Sequence, residues 1–74
     1  MYLIWSYSHS MWWAPYKCGY VDDVGDAGEY SALEAGDIIT NSLMLTTVAI
    51  HVETLRLKYD NQPPKFHPYN GEVI

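Results

Sequence analysis

The chain opens with a hydrophobic segment whose alternation is typical of a β-strand. Residues 2–7 are bulky and β-prone, with Leu3 and Trp5 on one face and apolar neighbours on the other, so both faces should be partly covered. Residues 9–19 break this pattern with small polar residues, two tryptophans and a proline, which predicts a long irregular loop. Tyr20 and Val21 would return as a short second strand, antiparallel to the first.

An acidic turn and a capped helix follow. Residues 22–30 hold two glycines and four carboxylates, a composition that suits a turn better than a regular element. Ser31 and Glu34 then have the spacing of a capping box, in which each side chain bonds the backbone amide of the other residue. A helix should therefore begin at Ala32, and we expect it to end near Leu43.

The segment after this helix is ambiguous. Periodicity over 45–59 fits a helical stripe and strand alternation equally well. Six of the nine residues from 46 to 54 are β-branched, which favours a strand, and we predict one over 47–52. For residues 53–59 the choice stays open between an extension of the sheet and a short helix.

Three prolines between 63 and 68 predict an extended C-terminal tail. Together the elements predict an α+β fold, with a small antiparallel sheet, one main capped helix and a Pro-rich tail. We expect residues 1–59 to form a single compact domain and residues 60–74 to form the tail. Exposed strand edges in so small a sheet also lead us to expect a homodimer.

Composition and charge narrow the functional classes. The 74 residues include three Trp, seven Tyr and one Phe, which favours a folded chain, but so short a chain encloses no large catalytic cavity by itself. Nine acidic against four basic side chains leave a net charge of −5, which disfavours direct binding to nucleic acid or to a membrane surface. Cys18 is the single cysteine, and the apolar start lacks the basic region of a signal peptide. We therefore expect a cytoplasmic protein.

Several short motifs in the first half of the chain fit one pattern. They are Ile4-Trp5-Ser6, His9, Trp12-Trp13-x-Pro15, Gly19-Tyr20, Ala27-Gly28-x-Tyr30-Ser31 and Glu34-Ala35. Residues 3–35 thus resemble the pattern WSxEHxxWWxPxxxGYTxxxxxAGxYxxxEA, which marks a family of small phage and prophage proteins. The resemblance implies a mobile-element origin and a strand near 48–52, and it carries no activity with it. Ser8, Val21 and His51 depart from the family's usual Glu, Thr and Pro.

An aromatic group is the first candidate for partner binding. Trp12, Trp13 and Tyr16 could form an anchor, because Trp and Tyr dominate the hot spots of protein interfaces. If the tryptophans lie on a strand, one ring of the pair should stay partly exposed. The alternative interpretation is that both rings cap the edge of a small core together with other aromatic residues.

An acidic segment is the second candidate. Between Lys17 and Arg56 the chain has seven carboxylates and no basic residue. The four that lie in the turn are Asp22, Asp23, Asp26 and Glu29. They form either a solvated loop beside a helix N-terminus or an acidic face that docks on a basic surface.

Metal and nucleophile chemistry is weakly signalled. Asp23, Gly28 and Glu34 stand at positions 1, 6 and 12 of an EF-hand frame, but Gly and Ala at positions 3 and 5 supply no side-chain oxygen. The histidines and Cys18 lack the close spacing of a zinc site, and nothing places that thiol beside a His and an Asp. We therefore expect no cofactor, no metal and no enzymatic activity.

The sequence favours a non-enzymatic accessory protein of a phage or prophage that works in the cytoplasm of the bacterial host. By this hypothesis the protein binds a host protein with a basic surface and inhibits a defence system of anti-restriction or anti-CRISPR type. The acidic residues would approach the basic surface while the aromatic residues anchor the contact. The alternative is a structural or self-assembling homo-oligomeric protein of a mobile element.

Overall fold

The described part of the chain contains four strands and two helices. The computed structural model describes residues 1–41 and 47–64. The elements in chain order are β1 (Tyr2–Ser6), β2 (Met11–Trp13), β3 (Tyr20–Val21), α1 (Ala32–Asn41), β4 (Thr47–His51) and α2 (Val52–Tyr59). Short 3-10 turns span Pro15–Lys17 and Val24–Asp26. Neither helix in these described ranges is long and apolar enough to cross a membrane.

The strands form one antiparallel sheet in the order β3-β2-β1-β4. The central strand β1 pairs with β2 on one side and with β4 on the other. In this register Trp5 lies opposite Trp12 of β2 and Val48 of β4. This sheet and its two helices confirm the predicted α+β class and the small antiparallel sheet.

The prediction of a continuous loop over residues 9–19 is wrong, because these residues contain β2. Trp12 packs edge-on against Trp5 of the paired strand, with ring centroids 4.9 Å apart. Aromatic cross-strand pairs of this kind stabilise a strand even where the local composition is typical of a loop. The predicted strand at Tyr20 and Val21 is confirmed as β3, but it pairs with β2 and not with β1.

Capping explains where both helices begin. At α1 the Ser31 hydroxyl accepts from the Glu34 amide and the Glu34 carboxylate accepts from the Ser31 amide, both at 3.1 Å, which confirms the predicted start. At α2 the His51 Nδ1 accepts from the Glu53 amide at 3.2 Å, so residues 53–59 are helical. β4 accordingly ends at His51, one residue before the predicted end.

Two predictions reach beyond the described residues. The expected end of the first helix near Leu43 lies outside them, since α1 is described to Asn41. Of the expected tail, the structure describes residues 60–64, in which Asp60 has a left-handed backbone and Pro64 is buried.

Within residues 1–41 and 47–64 the buried side chains form two clusters, one on each face of the sheet. The cluster under α1 contains Ile4, Tyr30, Ala35, Ile38, Ile39 and Ala49. The cluster under α2 contains Leu3, Trp12, Val48, Ile50 and Leu55. Because Leu3 and Ile4 are neighbours on β1 and both are buried, the expectation that both faces of this strand are covered is confirmed.

Candidate protein-binding site

An almost fully exposed tyrosine side chain stands on a strained turn. Tyr16 is 91% exposed, and its backbone is left-handed, with φ 60° and ψ 25°. Lys17 is left-handed as well, with φ 57°. A left-handed backbone costs a non-glycine residue roughly 1–2 kcal/mol, so the surrounding structure must hold this turn in place.

Tyr30 holds the turn. Its buried hydroxyl donates a hydrogen bond of 2.5 Å to the Ala14 carbonyl and accepts one of 3.0 Å from the Lys17 amide. The backbone of Tyr30 is itself bonded in both directions to Tyr2 of β1, at 2.7 and 2.8 Å. One buried side chain therefore ties the turn to the central strand and fixes how Tyr16 is presented.

Gly28 packs the acidic segment against the same turn. Its amide donates to the Trp13 carbonyl at 2.9 Å. A Cβ at this position would lie 2.7 Å from the Pro15 Cα and 2.9 Å from the Ala14 carbonyl carbon. Only glycine allows two backbone segments to approach so closely.

The two adjacent tryptophans have different environments. Trp12 is 1% exposed in the cluster under α2, so the prediction that it anchors a partner is wrong, because a buried ring offers no surface. Consecutive strand residues point to opposite faces, and Trp13 lies half-buried on the α1 side in edge contact with Tyr20 and Tyr30. The rings thus join the core as the alternative interpretation held, and one of them stays partly exposed as expected.

Side chains of β2, of β3 and of the strained turn between them form what we call the aromatic surface. Its members are Trp13, Tyr16, Lys17 and Tyr20. The Tyr20 ring is 40% exposed and stacks on His9 with centroids 3.9 Å apart. Depressions of about 270 and 240 Å³ flank Trp13, and Lys17 lines both of them. The Trp13 Nε1 is buried without an acceptor among the described residues.

The predicted acidic residues lie on the other side of the sheet. Val24 and Ala27 attach their loop to the cluster under α2. The exposed carboxylates of this acidic loop are those of Asp22, Asp23, Asp26 and Glu29. The structure therefore does not gather the acidic loop and the aromatic surface on one face, and the two regions meet where Gly28 contacts Pro15.

Charge on the described part of the chain is strongly negative. This part carries eight of the nine acidic side chains, all but Glu72, and three of the four basic ones, all but Lys65. No ion pair joins these described side chains to one another. The hydrogen bonds from the Ser31 amide and hydroxyl lower the pKa of Glu34, with a further contribution from the positive charge of Lys17. The charge of Lys17 on the strained turn therefore acts on Glu34 in the first turn of α1.

The candidate metal and nucleophile groups have local structural contacts. Asp23 Oδ1 accepts from the Gly25 amide at 2.9 Å and thereby starts the second 3-10 turn. The Cys18 thiol donates to the Tyr16 carbonyl at 3.4 Å, and His9 Nδ1 lies 3.1 Å from the Ser6 hydroxyl. Within residues 1–41 and 47–64 no three His, Cys, Asp or Glu side chains are placed to hold a metal ion.

Three residues near the candidate surfaces were not selected from the sequence. Tyr20 shares a face with Trp13 because the two are cross-strand partners, a relation that requires β2 to be recognised as a strand. Lys17 belongs to the aromatic surface because it lies on the left-handed turn, and no simple sequence pattern predicts that turn. Glu53 stands beside the acidic loop through the packing of α2, which local patterns do not specify.

Comparison with known proteins adds no relative to this picture. No protein-family model matches the sequence, and searches of curated proteins and of solved structures return no match either.

Proposed function

We propose that this chain is a non-enzymatic protein-binding module that docks through the aromatic surface, with Tyr16 as its anchor. The observation that carries the proposal is the combination of 91% exposure and a left-handed backbone at Tyr16. Strain retained at an exposed residue is typical of binding and recognition sites. Because the Tyr30 hydroxyl already fixes this backbone, a partner gains contact area at little conformational cost.

The proposed setting is a phage or prophage protein in the cytoplasm of a bacterial host. The motif resemblance over residues 3–35 supports this setting. The proposed partner is a host defence protein of restriction or CRISPR type, because inhibition by occlusion requires a binding surface and no chemistry. Such proteins bind nucleic acid through basic surfaces, which the excess of carboxylates on this chain would complement.

The acidic loop has a different part in this proposal from that of Tyr16. Its carboxylates are exposed and lie on the other side of the sheet, so they act at long range and speed the encounter with a basic partner. The closely packed contact that slows dissociation is assigned to the aromatic surface.

Affinity capture from bacterial lysate tests the anchor. Captured proteins would be compared between the wild-type chain, the Tyr16→Ala variant and a Leu57→Ala control, since Leu57 is 68% exposed on α2. We expect Tyr16→Ala to weaken binding of the captured protein by about thirtyfold, as at an interface hot spot, and Leu57→Ala to change it by less than about twofold. Equal binding by all three proteins would remove Tyr16 from the interface.

Charge reversal tests the acidic loop. We expect the triple variant Asp22→Lys, Asp23→Lys and Asp26→Lys to slow association of the captured protein and to leave its dissociation rate nearly unchanged. Raising the ionic strength should slow association by the wild type in the same way. A partner whose association ignores both changes would show that the acidic loop takes no part in binding.

A second copy of the chain is the competing partner. β3 has two residues, and residues 47–50 of the other edge strand are buried, so the sheet offers a copy less free edge than expected. Light scattering across a range of concentrations separates the two functions. A stable oligomer that persists on dilution and is lost with Tyr16→Ala would show that the aromatic surface serves self-assembly and would overturn the proposal of host binding.

A further inference from the structure

A groove runs between the acidic loop and α2. It has a volume of about 470 Å³. Its apolar floor includes Leu3 and Leu55, which are buried, and Val52, which is partly exposed. Of the α2 side chains, Leu55 is fully buried, Val52 and Tyr59 are partly buried against the same cluster, and the groove lies between this helix and the acidic loop.

Two carboxylates stand on the rim of this groove. Glu29 comes from the acidic loop and Glu53 from the first turn of α2, and both are exposed. Neither carboxylate has a hydrogen bond or an ion pair with another described residue. Arg56 also lines the groove and is likewise unpaired within the described ranges, so the rim has an excess of negative charge.

We propose that this groove receives a lysine or arginine side chain from a segment of the partner protein. Long basic side chains combine an apolar stem with a cationic head. The stem would lie on the apolar floor while the head lies between Glu29 and Glu53. The proposal rests on the proposed function as a protein-binding module and defines the chemistry of its partner. It assigns the groove a contact separate from the one made by Tyr16.

The charge of the surroundings selects this occupant. Asp23 and Asp26 lie on the same loop as Glu29, so an acidic peptide or a phosphate backbone would be repelled at the entrance. A purely apolar side chain would contact the floor but gain nothing from the negative charge of the rim. A basic side chain meets the floor and the rim together, and Arg56 is the single feature of the lining that opposes it.

Peptide titration of the isotope-labelled full chain, followed by NMR, tests the groove directly. The probe is a blocked pentapeptide with a central lysine between two leucines, and its matched controls carry norleucine or glutamate in place of lysine. We expect saturable shifts of the amides of Gly25, Ala27 and Glu53 with the lysine peptide. Binding should be about fivefold weaker with norleucine and undetectable with glutamate.

Paired variants separate local charge from net charge. The double variant Glu29→Gln with Glu53→Gln should weaken binding of the lysine peptide by about fivefold to tenfold. Glu34→Gln with Asp37→Asn removes the same charge from α1, across the sheet from the groove, and should change affinity by less than about twofold, since glutamine also serves in a capping box. Arg56→Gln should tighten binding. All of these positions are exposed, so the variants keep the fold.

Two outcomes would overturn the proposal that the groove binds a basic side chain. One is the absence of saturable shifts at about 5 mM peptide, and the other is equal binding of the lysine and norleucine peptides. If a captured host protein depends on Tyr16 but ignores Glu29→Gln with Glu53→Gln, the groove assignment fails and the proposed function stands. If the peptide binds as expected but Tyr16→Ala leaves host binding unchanged, the anchor fails and the groove stands.

Discussion

The two faces of the sheet are covered to different extents. On one face α1 buries Ala35, Ile38 and Ile39, whereas on the other α2 buries only Leu55. Trp12 and the acidic loop fill much of the second face, and the remaining space is the groove. A short helix with one fully buried side chain leaves room for a ligand beside it, whereas the longer amphipathic helix buries three side chains and leaves Trp13 half-buried beside it.

Trp12 and Trp13 sample these two faces from adjacent positions. Trp12 packs in the cluster under α2, where its large ring covers sheet surface that the short helix leaves uncovered. Trp13 stands at the edge of the face that α1 closes, where its ring is only half-buried. One dipeptide therefore supplies core on one side and surface on the other.

Replacing each tryptophan by alanine tests this division and should give the largest effect. We expect Trp12→Ala to lower the free energy of unfolding by about 3–5 kcal/mol, since a fully buried ring is lost. Trp13→Ala should cost roughly half as much, because its ring keeps part of its solvent contact in the folded state. Urea unfolding followed by circular dichroism measures both. Equal losses would show that the two faces contribute alike.

Two glycine substitutions test the contact where the acidic loop meets the strained turn. At Gly28 a Cβ would lie 2.7 Å from a backbone atom of Pro15, so Gly28→Ala should destabilise by about 1–3 kcal/mol. At Gly36 of α1 nothing lies within 4 Å of a Cβ, so Gly36→Ala should stabilise the helix by about 1 kcal/mol. Thermal unfolding of both variants measures the opposite signs, and a stable Gly28→Ala protein would mean that the two segments do not touch.

The elements that the sequence predicted are those with strong local signals. The Ser31 and Glu34 capping box identified the start of α1, and the β-branched run identified β4 from Thr47. β2 was missed because its three residues form a strand through pairing with β1, which no local pattern describes. The candidate site was predictable in composition alone. The opposite placement of Trp12 and Trp13 and the role of Tyr30 depend on contacts between residues far apart in the chain.

Removing the Tyr30 hydroxyl tests whether one side chain controls the presentation of Tyr16. Tyr30→Phe leaves the Ala14 carbonyl without its donor and the Lys17 amide without its acceptor. We expect a loss of about 1–3 kcal/mol in unfolding free energy. Faster hydrogen exchange at the Lys17 amide, with unchanged exchange in β4, would show that the loss is confined to the turn. Uniformly faster exchange across the chain would contradict a local role for the hydroxyl.

The smallest expected effects concern the cap of α1, the helix that closes its face. Ser31→Ala removes the acceptor for the Glu34 amide and should cost about 1 kcal/mol. The pKa of Glu34 is lowered in the folded protein, so its carboxylate contributes stability above the ordinary value of 4.5, and this contribution is lost as the pH falls through the folded-state pKa.

The difference in unfolding free energy between wild type and Glu34→Gln should therefore be present at neutral pH and shrink below pH 4.5. Urea unfolding over this range measures the difference, and Ser31→Ala should reduce its dependence on pH because the Ser31 hydroxyl supplies one of the two Ser31 hydrogen bonds that lower the pKa. If the difference grew as the pH fell, the carboxylate would be stabilised in its protonated form, and the capping box could not hold the start of α1 as its geometry requires.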